Sequence, residues 1–150
     1  MRVAFAADHA GWPLRQRILS EIAGAGHEPV DCGPAAMEPG DDYPDRSAAV
    51  ASAIVGGRAD RGIVLCGSGV GAAVAANKVR GIRSCMCHDT FSARQGVEDD
   101  DMNVLCLGAR VIGAELAAEL VRAFLSGRFS GLERHRRRLR KVQAMEDGSA

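Results

Sequence analysis

Cys66 ends the apolar run Gly62-Ile-Val-Leu65 and is followed by Gly67-Ser68-Gly69-Val70-Gly71, three glycines in five residues. Gly62–Leu65 reads as a buried strand and Val70–Val79 as a helix, so a soft nucleophile sits at the corner between them. Glycines there let the backbone approach a ligand closely, and N–H groups at a helix start attract anions. Thiols at such helix starts ionise more readily than free ones. A base beside preorganised N–H donors suits proton abstraction next to a carbonyl, where an enediolate oxygen must be stabilised. Packing is the commoner use of a strand-end cysteine. The glycines tip this one toward chemistry.

Other chemistries fit the same residues less well. Gly67-Ser-Gly69-Val-Gly-Ala72 satisfies the dinucleotide pattern G-x-G-x-x-G/A, with Asp89 spaced to meet a ribose hydroxyl. It follows the third strand rather than the first, however, and little chain remains for a substrate domain. A Walker loop would need Gly-Lys-Ser/Thr, and a cysteine phosphatase would need an arginine where Ala72 stands. Cys85-Met86-Cys87 followed by His88 has the look of a metal fragment. It is expected to be core packing, its two thiols on opposite faces of a strand, and no metal or cofactor is expected.

A basic stretch is the second informative feature. Arg134, Arg138 and Lys141 recur at helical spacing with His135 beside them, while Arg136, Arg137 and Arg140 point elsewhere. A solvated face, a nucleic-acid patch and a phosphate clamp all fit. Only 4% of residues are aromatic and the formal net charge is zero, which weakens the nucleic-acid case. A phosphate clamp needs only two or three well-placed guanidiniums, and His9 could add a donor.

The elements that must position these residues can be read from periodicity. With 150 residues the chain suits one domain, and its 19 basic and 19 acidic residues cancel. Five cysteines, an odd number without framework spacing, point to free thiols in a reducing compartment, by default the cytoplasm. The apolar stretch at the start is too short for a signal peptide, and no run reaches transmembrane length. Val3–Ala7, Glu28–Asp31, Gly62–Leu65, Ile82–Cys87 and Asn103–Leu107 read as strands. Helices are predicted from Leu14 to Ile22, over Pro44–Val55, from Val70, from Thr90 to about Val97, around Leu116–Leu125, and over 133–145. Residues 33–44 form a long loop, a length often tied to function, and 147–150 a frayed tail.

Short apolar strands alternating with helices indicate an α/β fold. We expect a doubly wound, Rossmann-like, five-stranded parallel sheet with helices on both faces and a basic C-terminal helix. In the order 2-1-3-4-5 the switch point falls between strands one and three. Asp8-His9 and the Cys66 loop would then meet at one crevice.

With these residues in hand, the chain resembles the sugar-phosphate isomerase family that includes type B ribose-5-phosphate isomerase and the galactose-6-phosphate isomerase subunits. The likeness runs from Val3-Ala-Phe-Ala-Ala-Asp8-His9-Ala-Gly11 to Arg134-His135. Its most specific parts are Asp42-Tyr43-Pro44, Cys66–Gly71 with Ala75-Ala-Asn-Lys78, and Asn103-Val104 leading to Gly108-Ala-Arg110. The resemblance implies a metal-free aldose–ketose isomerase working through a cis-enediolate. Cys66 would be the base, assisted by Ser68, with the amides of Gly67, Gly69, Val70 and Gly71 holding the enediolate oxygens. Asp8 would bind sugar hydroxyls and Tyr43 would shape the pocket. His9, Arg134 and Arg138 would take the phosphate, with Arg110 and His135 nearby. It also implies a homodimer or a dimer of dimers with shared sites, and no nucleic-acid or membrane partner.

One departure stands out. Where a ribose-phosphate isomerase carries a ring-opening His followed by Asn, this chain has Asp99 and Asp100 within Glu98-Asp-Asp-Asp101. A free carboxylate titrates at about 3.9 and a histidine at about 6.5, so a carboxylate is the poorer ring opener at neutral pH. Ribose 5-phosphate and ribulose 5-phosphate form the leading substrate pair. Alternatives are another sugar phosphate, such as an acyclic tetrulose 4-phosphate or a hexose 6-phosphate, or an inactive nucleotide-binding module.

Overall fold

A computed structural model describes residues 1–149. Five strands, β1 (Arg2–Ala7), β2 (Glu28–Asp31), β3 (Arg61–Cys66), β4 (Ser84–Met86) and β5 (Val104–Gly108), form one parallel sheet. Six helices accompany it: α1 (Arg15–Gly24), α2 (Tyr43–Val55), α3 (Val70–Ala76), α4 (Thr90–Asp100), α5 (Ala114–Ser126) and α6 (Glu133–Glu146).

The alternation of side chains along the strands divides the core in two. Val3, Phe5, Ile63, Leu65, Leu105 and Leu107 meet apolar residues of α1, α4 and α5. On the other face Ala4, Ala6, Val64, Cys66, Val104 and Cys106 meet α2 and α3. The second face is lined by small residues, so α2 lies close: a Cβ on Gly62 would come within 2.3 Å of Val50. Among the described residues no helix is long and apolar enough to cross a membrane.

The strand order is 2-1-3-5-4, not 2-1-3-4-5. Burial explains the exchange. Every residue of β5 is buried, whereas β4 is three residues long and partly exposed. A short, half-wet strand suits an edge, and the continuously apolar one suits the interior. The Asn77 side chain pins that edge, donating to the Ser84 carbonyl and accepting from the Ser84 N–H, each at 2.8 Å. Asn77 is also the residue that follows the last turn of α3, which stops three residues before the predicted end. The exchange has a direct effect on the corner, because Gly108 of β5 now pairs with Cys66 of β3.

Three further expectations need correction. Residues two apart on a strand share a face, so Cys85 and Cys87 are not on opposite sides; their thiols interact, and burial followed by Cys85 pushes Cys87 up to about 12. Second, α4 does not stop near Val97 but runs through the acidic stretch to Asp100, capped by Asp101 in a left-handed conformation with φ 49°. Arg83 neutralises that turn, donating to the Asp101 carboxylate at 2.6 Å and to its carbonyl at 2.8 Å. Third, the predicted strand over Ile82–Cys87 is ordered as a strand only at Ser84–Met86. Of the tail, Ala150 lies outside the described residues. Asp147, Gly148 and Ser149 each donate a backbone hydrogen bond to α6, and Asp147 pairs with Arg80.

Candidate functional site

The carboxyl ends of β1, β3 and β5 and the start of α2 enclose a cleft of about 380 Å³. Asp8, His9, Tyr43, Cys66, Gly67, Ser68, Gly71 and Arg110, all anticipated from the sequence, line it, with Ala10 and Val111. Adjacent parallel strands end at the same edge, which is why residues so distant in sequence converge here.

Cys66 is 4% exposed, and its Sγ accepts a hydrogen bond from the Gly69 N–H at 3.1 Å. Gly69 has φ +84°, a conformation that an L side chain resists, and this turn aims the amide back at the sulfur. An N–H so aimed holds the side chain in one direction. Val70 follows as the first residue of α3, its own N–H weakly bonded to the Ser68 hydroxyl at 3.3 Å.

Strand β5 supports the loop from beneath. The Ala109 and Arg110 amides donate to the carbonyls of Cys66 and Gly67 at 2.9 and 3.0 Å. Gly108 permits that approach, because a Cβ there would lie 2.5 Å from the Ser68 carbonyl oxygen. Both partners are backbone and neither can swing away. Gly108→Ala is therefore expected to lower stability by about 1–3 kcal/mol and to reduce turnover. Urea unfolding and initial rates would check both, and unchanged values would show that the loop has slack.

Asp8 is 4% exposed and anchors its turn by accepting from the Gly11 N–H at 2.8 Å. His9 beside it points outward, and its Nδ1 lies 3.0 Å from a carboxylate oxygen of Asp41. Asp41 is not singled out in the sequence, and His88, noted there only beside the two thiols of a metal-like fragment, accepts from the Gly108 N–H at 3.3 Å. The signal for Asp41 was its place in the long loop just before Asp42-Tyr43-Pro44.

The remaining expected residues lie elsewhere. Asp99 and Asp100 end α4, and Arg134, His135 and Arg138 belong to α6; none of the five lines the cleft. His135 is only 2% exposed and holds the two helices together. Its Nδ1 lies 2.7 Å from the Ser130 hydroxyl and 3.3 Å from Asp99, while its Nε2 accepts from the Arg134 Nε–H at 2.9 Å. Asp99 also accepts from the Gln95 amide at 2.7 Å. Asp100 lines a separate groove of about 760 Å³, which it shares with Cys85, Cys87 and apolar residues of α6. Among the described residues no group of His, Cys, Asp and Glu is arranged to hold a metal ion.

A cleft that pairs a buried thiol and aimed amides with a carboxylate, an imidazole and a guanidinium can move a proton on a small anionic substrate. Comparison with known proteins agrees. The family model described as Ribose/Galactose Isomerase matches residues 3–142. Ribose-5-phosphate isomerase B of Escherichia coli (strain K12) is 40% identical over 97% of this chain and 96% of its own. D-erythrulose-4-phosphate isomerase of Pectobacterium atrosepticum is 40% identical over 87% of this chain and 86% of its own. The solved type B ribose 5-phosphate isomerase of Trypanosoma brucei superposes with a TM-score of 0.92 at 42% identity, covering 96% of this chain and 97% of that one. Sequence and fold agree along nearly the whole chain, and it belongs to the ribose/galactose isomerase family.

Proposed function

We propose that this protein interconverts an aldose phosphate and its ketose through a cis-enediolate, with ribose 5-phosphate and ribulose 5-phosphate as the leading pair. The observation that carries this reading is the Cys66 sulfur in the cleft, bonded by the Gly69 amide and flanked by Asp8, His9 and Arg110. As a thiolate, Cys66 takes the C2 proton of the open-chain aldose. The electron pair left behind forms the C1–C2 double bond, and negative charge moves onto O1. Amides of Gly67, Val70 and Gly71 hold the enediolate oxygens, while the Gly69 N–H stays on the Cys66 sulfur. Ser68 hydrogen bonds to them while a proton passes from O2 to O1. The carbonyl then forms at C2, and the Cys66 thiol returns its proton to C1. Nothing is gained or lost overall. A panel of aldose and ketose phosphates, assayed for isomerisation, tests this reading; no turnover of any member would overturn it.

Asp8 binds the sugar hydroxyls, and Tyr43 closes one side of the cleft. His9 and Arg110 receive the phosphate together with Arg134 and Arg138. Because α6 does not reach the cleft of its own chain, these arginines, with Asp99 and Asp100, are supplied by a second copy, while His135 stays buried behind Arg134 and accepts from its guanidinium. The assembly is a homodimer or a pair of dimers with shared sites, in one domain per chain. Its free thiols suit a reducing compartment such as the cytoplasm. If Arg134→Ala or Arg138→Ala kept full phosphate affinity while losing affinity for DNA or RNA, a nucleic-acid role for α6 would replace this one.

A second reading is favoured by Asp99. Its carboxylate accepts from Gln95 and lies against His135 Nδ1, an arrangement for holding α6 rather than for giving a proton to a ring oxygen. A tetrose 4-phosphate cannot close a furanose, because its O4 carries the phosphate, so it needs no ring opener. Turnover of D-erythrulose 4-phosphate is expected to equal or exceed that of ribose 5-phosphate. Asp99→His is expected to improve the ribose reaction more than the acyclic one. Steady-state kinetics of both enzymes on both substrates would decide the matter. Efficient ribose turnover in the wild type, abolished selectively by Asp99→Asn, would instead make Asp99 the ring opener.

A further inference from the structure

The loop at 33–42 places an acid behind the cleft that the reaction itself does not use. The side chain of Asp41 is only 3% exposed, yet it carries three polar contacts. Its Oδ1 accepts from the His9 backbone N–H at 2.8 Å and lies 3.0 Å from His9 Nδ1. Its Oδ2 accepts from Arg46 Nε–H at 3.0 Å, and Arg46 reaches on to Glu38 at 2.9 Å. The Asp41 main-chain carbonyl lies 3.2 Å from the same His9 Nδ1. Both groups facing Nδ1 are thus acceptors, so Nδ1 carries a proton and the tautomer is settled by its surroundings. Nε2, across the ring, has no protein partner among the described residues, and His9 lines the cleft.

We propose that Asp41 is a positioning residue that fixes the ring of His9 with Nδ1–H inward, so that Nε2 offers an N–H to the anionic end of the ligand only while the ring is an imidazolium. The proposal rests on the reading that His9 receives the phosphate. With Nδ1–H fixed, a neutral His9 presents a lone pair at Nε2, which repels phosphate oxygens. A protonated His9 presents a donor. The Asp41 hydrogen bond holds His9 above its ordinary range, outweighing the opposing effect of burial, and the nearby Asp8 charge acts in the same direction. The other titratable or charged groups around His9 are Tyr43 and Arg46 on α2, Cys66 at the end of β3 and Arg110 after β5. Arg46 keeps Asp41 in place from behind.

Sulfate is a suitable probe because, unlike phosphate, it does not titrate near neutrality. In the wild type, affinity for inorganic sulfate is expected to fall as pH rises through the raised His9 pKa. In Asp41→Asn the midpoint moves to lower pH. A one-unit move makes affinity at about pH 8 drop roughly tenfold at most, with the two proteins converging at about pH 5.5, where both rings are charged. A purely structural role for Asp41 would weaken binding equally at both pH values and leave the midpoint in place, which overturns the proposal. NMR titration of the wild-type His9 ring, assigned with His9→Gln, covers the case in which Asp41→Asn misfolds; a midpoint at or below about 6.5 also overturns it. If His9→Gln binds sulfate as well as wild type at every pH, the phosphate-end reading fails. The ring titration would still show whether Asp41 governs His9.

Discussion

Cys66→Ala is expected to remove isomerisation, by about 10²–10⁴-fold or more, while binding of the sugar phosphate stays largely intact. The loss should extend to exchange of the C2 proton with solvent, because both need a base at the same place. No other thiol is set to substitute. Cys106 lies on the same face of the sheet, but burial pushes it up to about 12. Cys87 is pushed up to about 12 and Cys32 upward, in both cases chiefly by burial. Cys85 belongs to the edge strand, with β5 between it and β3. Initial rates and calorimetric binding on the same preparation separate chemistry from affinity. Near-wild-type turnover would remove Cys66 from the role of base.

Mixing two inactive chains is expected to regenerate activity. One chain carries Cys66→Ala, and the other carries Arg134→Ala with Arg138→Ala, each arginine contributing about tenfold or more to phosphate binding. In a hybrid dimer with shared sites, one site has both lesions and the other has none. Random pairing makes about half the dimers hybrid, so about a quarter of wild-type activity should return. Neither chain alone should show it. If each site were built within one chain, mixing would restore nothing. Native mass spectrometry of the mixture, which separates hybrid from parent dimers by mass, would establish that hybrids had formed.

What could be read from the residues follows the range of the interactions that fix them. The apolar runs, the glycine-punctuated helix ends and the Cys66 corner are local patterns, and they reappear with small shifts at their boundaries. The position of β4 is not local. Neither Ser84–Met86 nor Val104–Gly108 announces which will pair with β3; burial decides it, and burial is a property of the assembled sheet. Asp99 is another case. The family resemblance sets it beside the chemistry, while within its own chain it accepts from Gln95 and lies against His135 of α6. Asp41 escaped notice because nothing in Gly40-Asp-Asp-Tyr43 tells which acid turns inward toward His9. The long loop drew attention to the right segment without resolving the residue.

The pairing of Cys66 with Gly108 also bears on how the protein acquires its activity as it folds. A turn or hairpin can form before the rest of a chain, but this cleft has no local precursor. Its walls join the end of β1, the start of α2, the end of β3 and the residues after β5. Contacts of such long sequence separation are costly in loop entropy and tend to form late. A partly folded chain can therefore contain native helices and still have no place for a substrate. For this protein turnover is a report on the whole sheet, and the last strand to pair inside it completes the cleft.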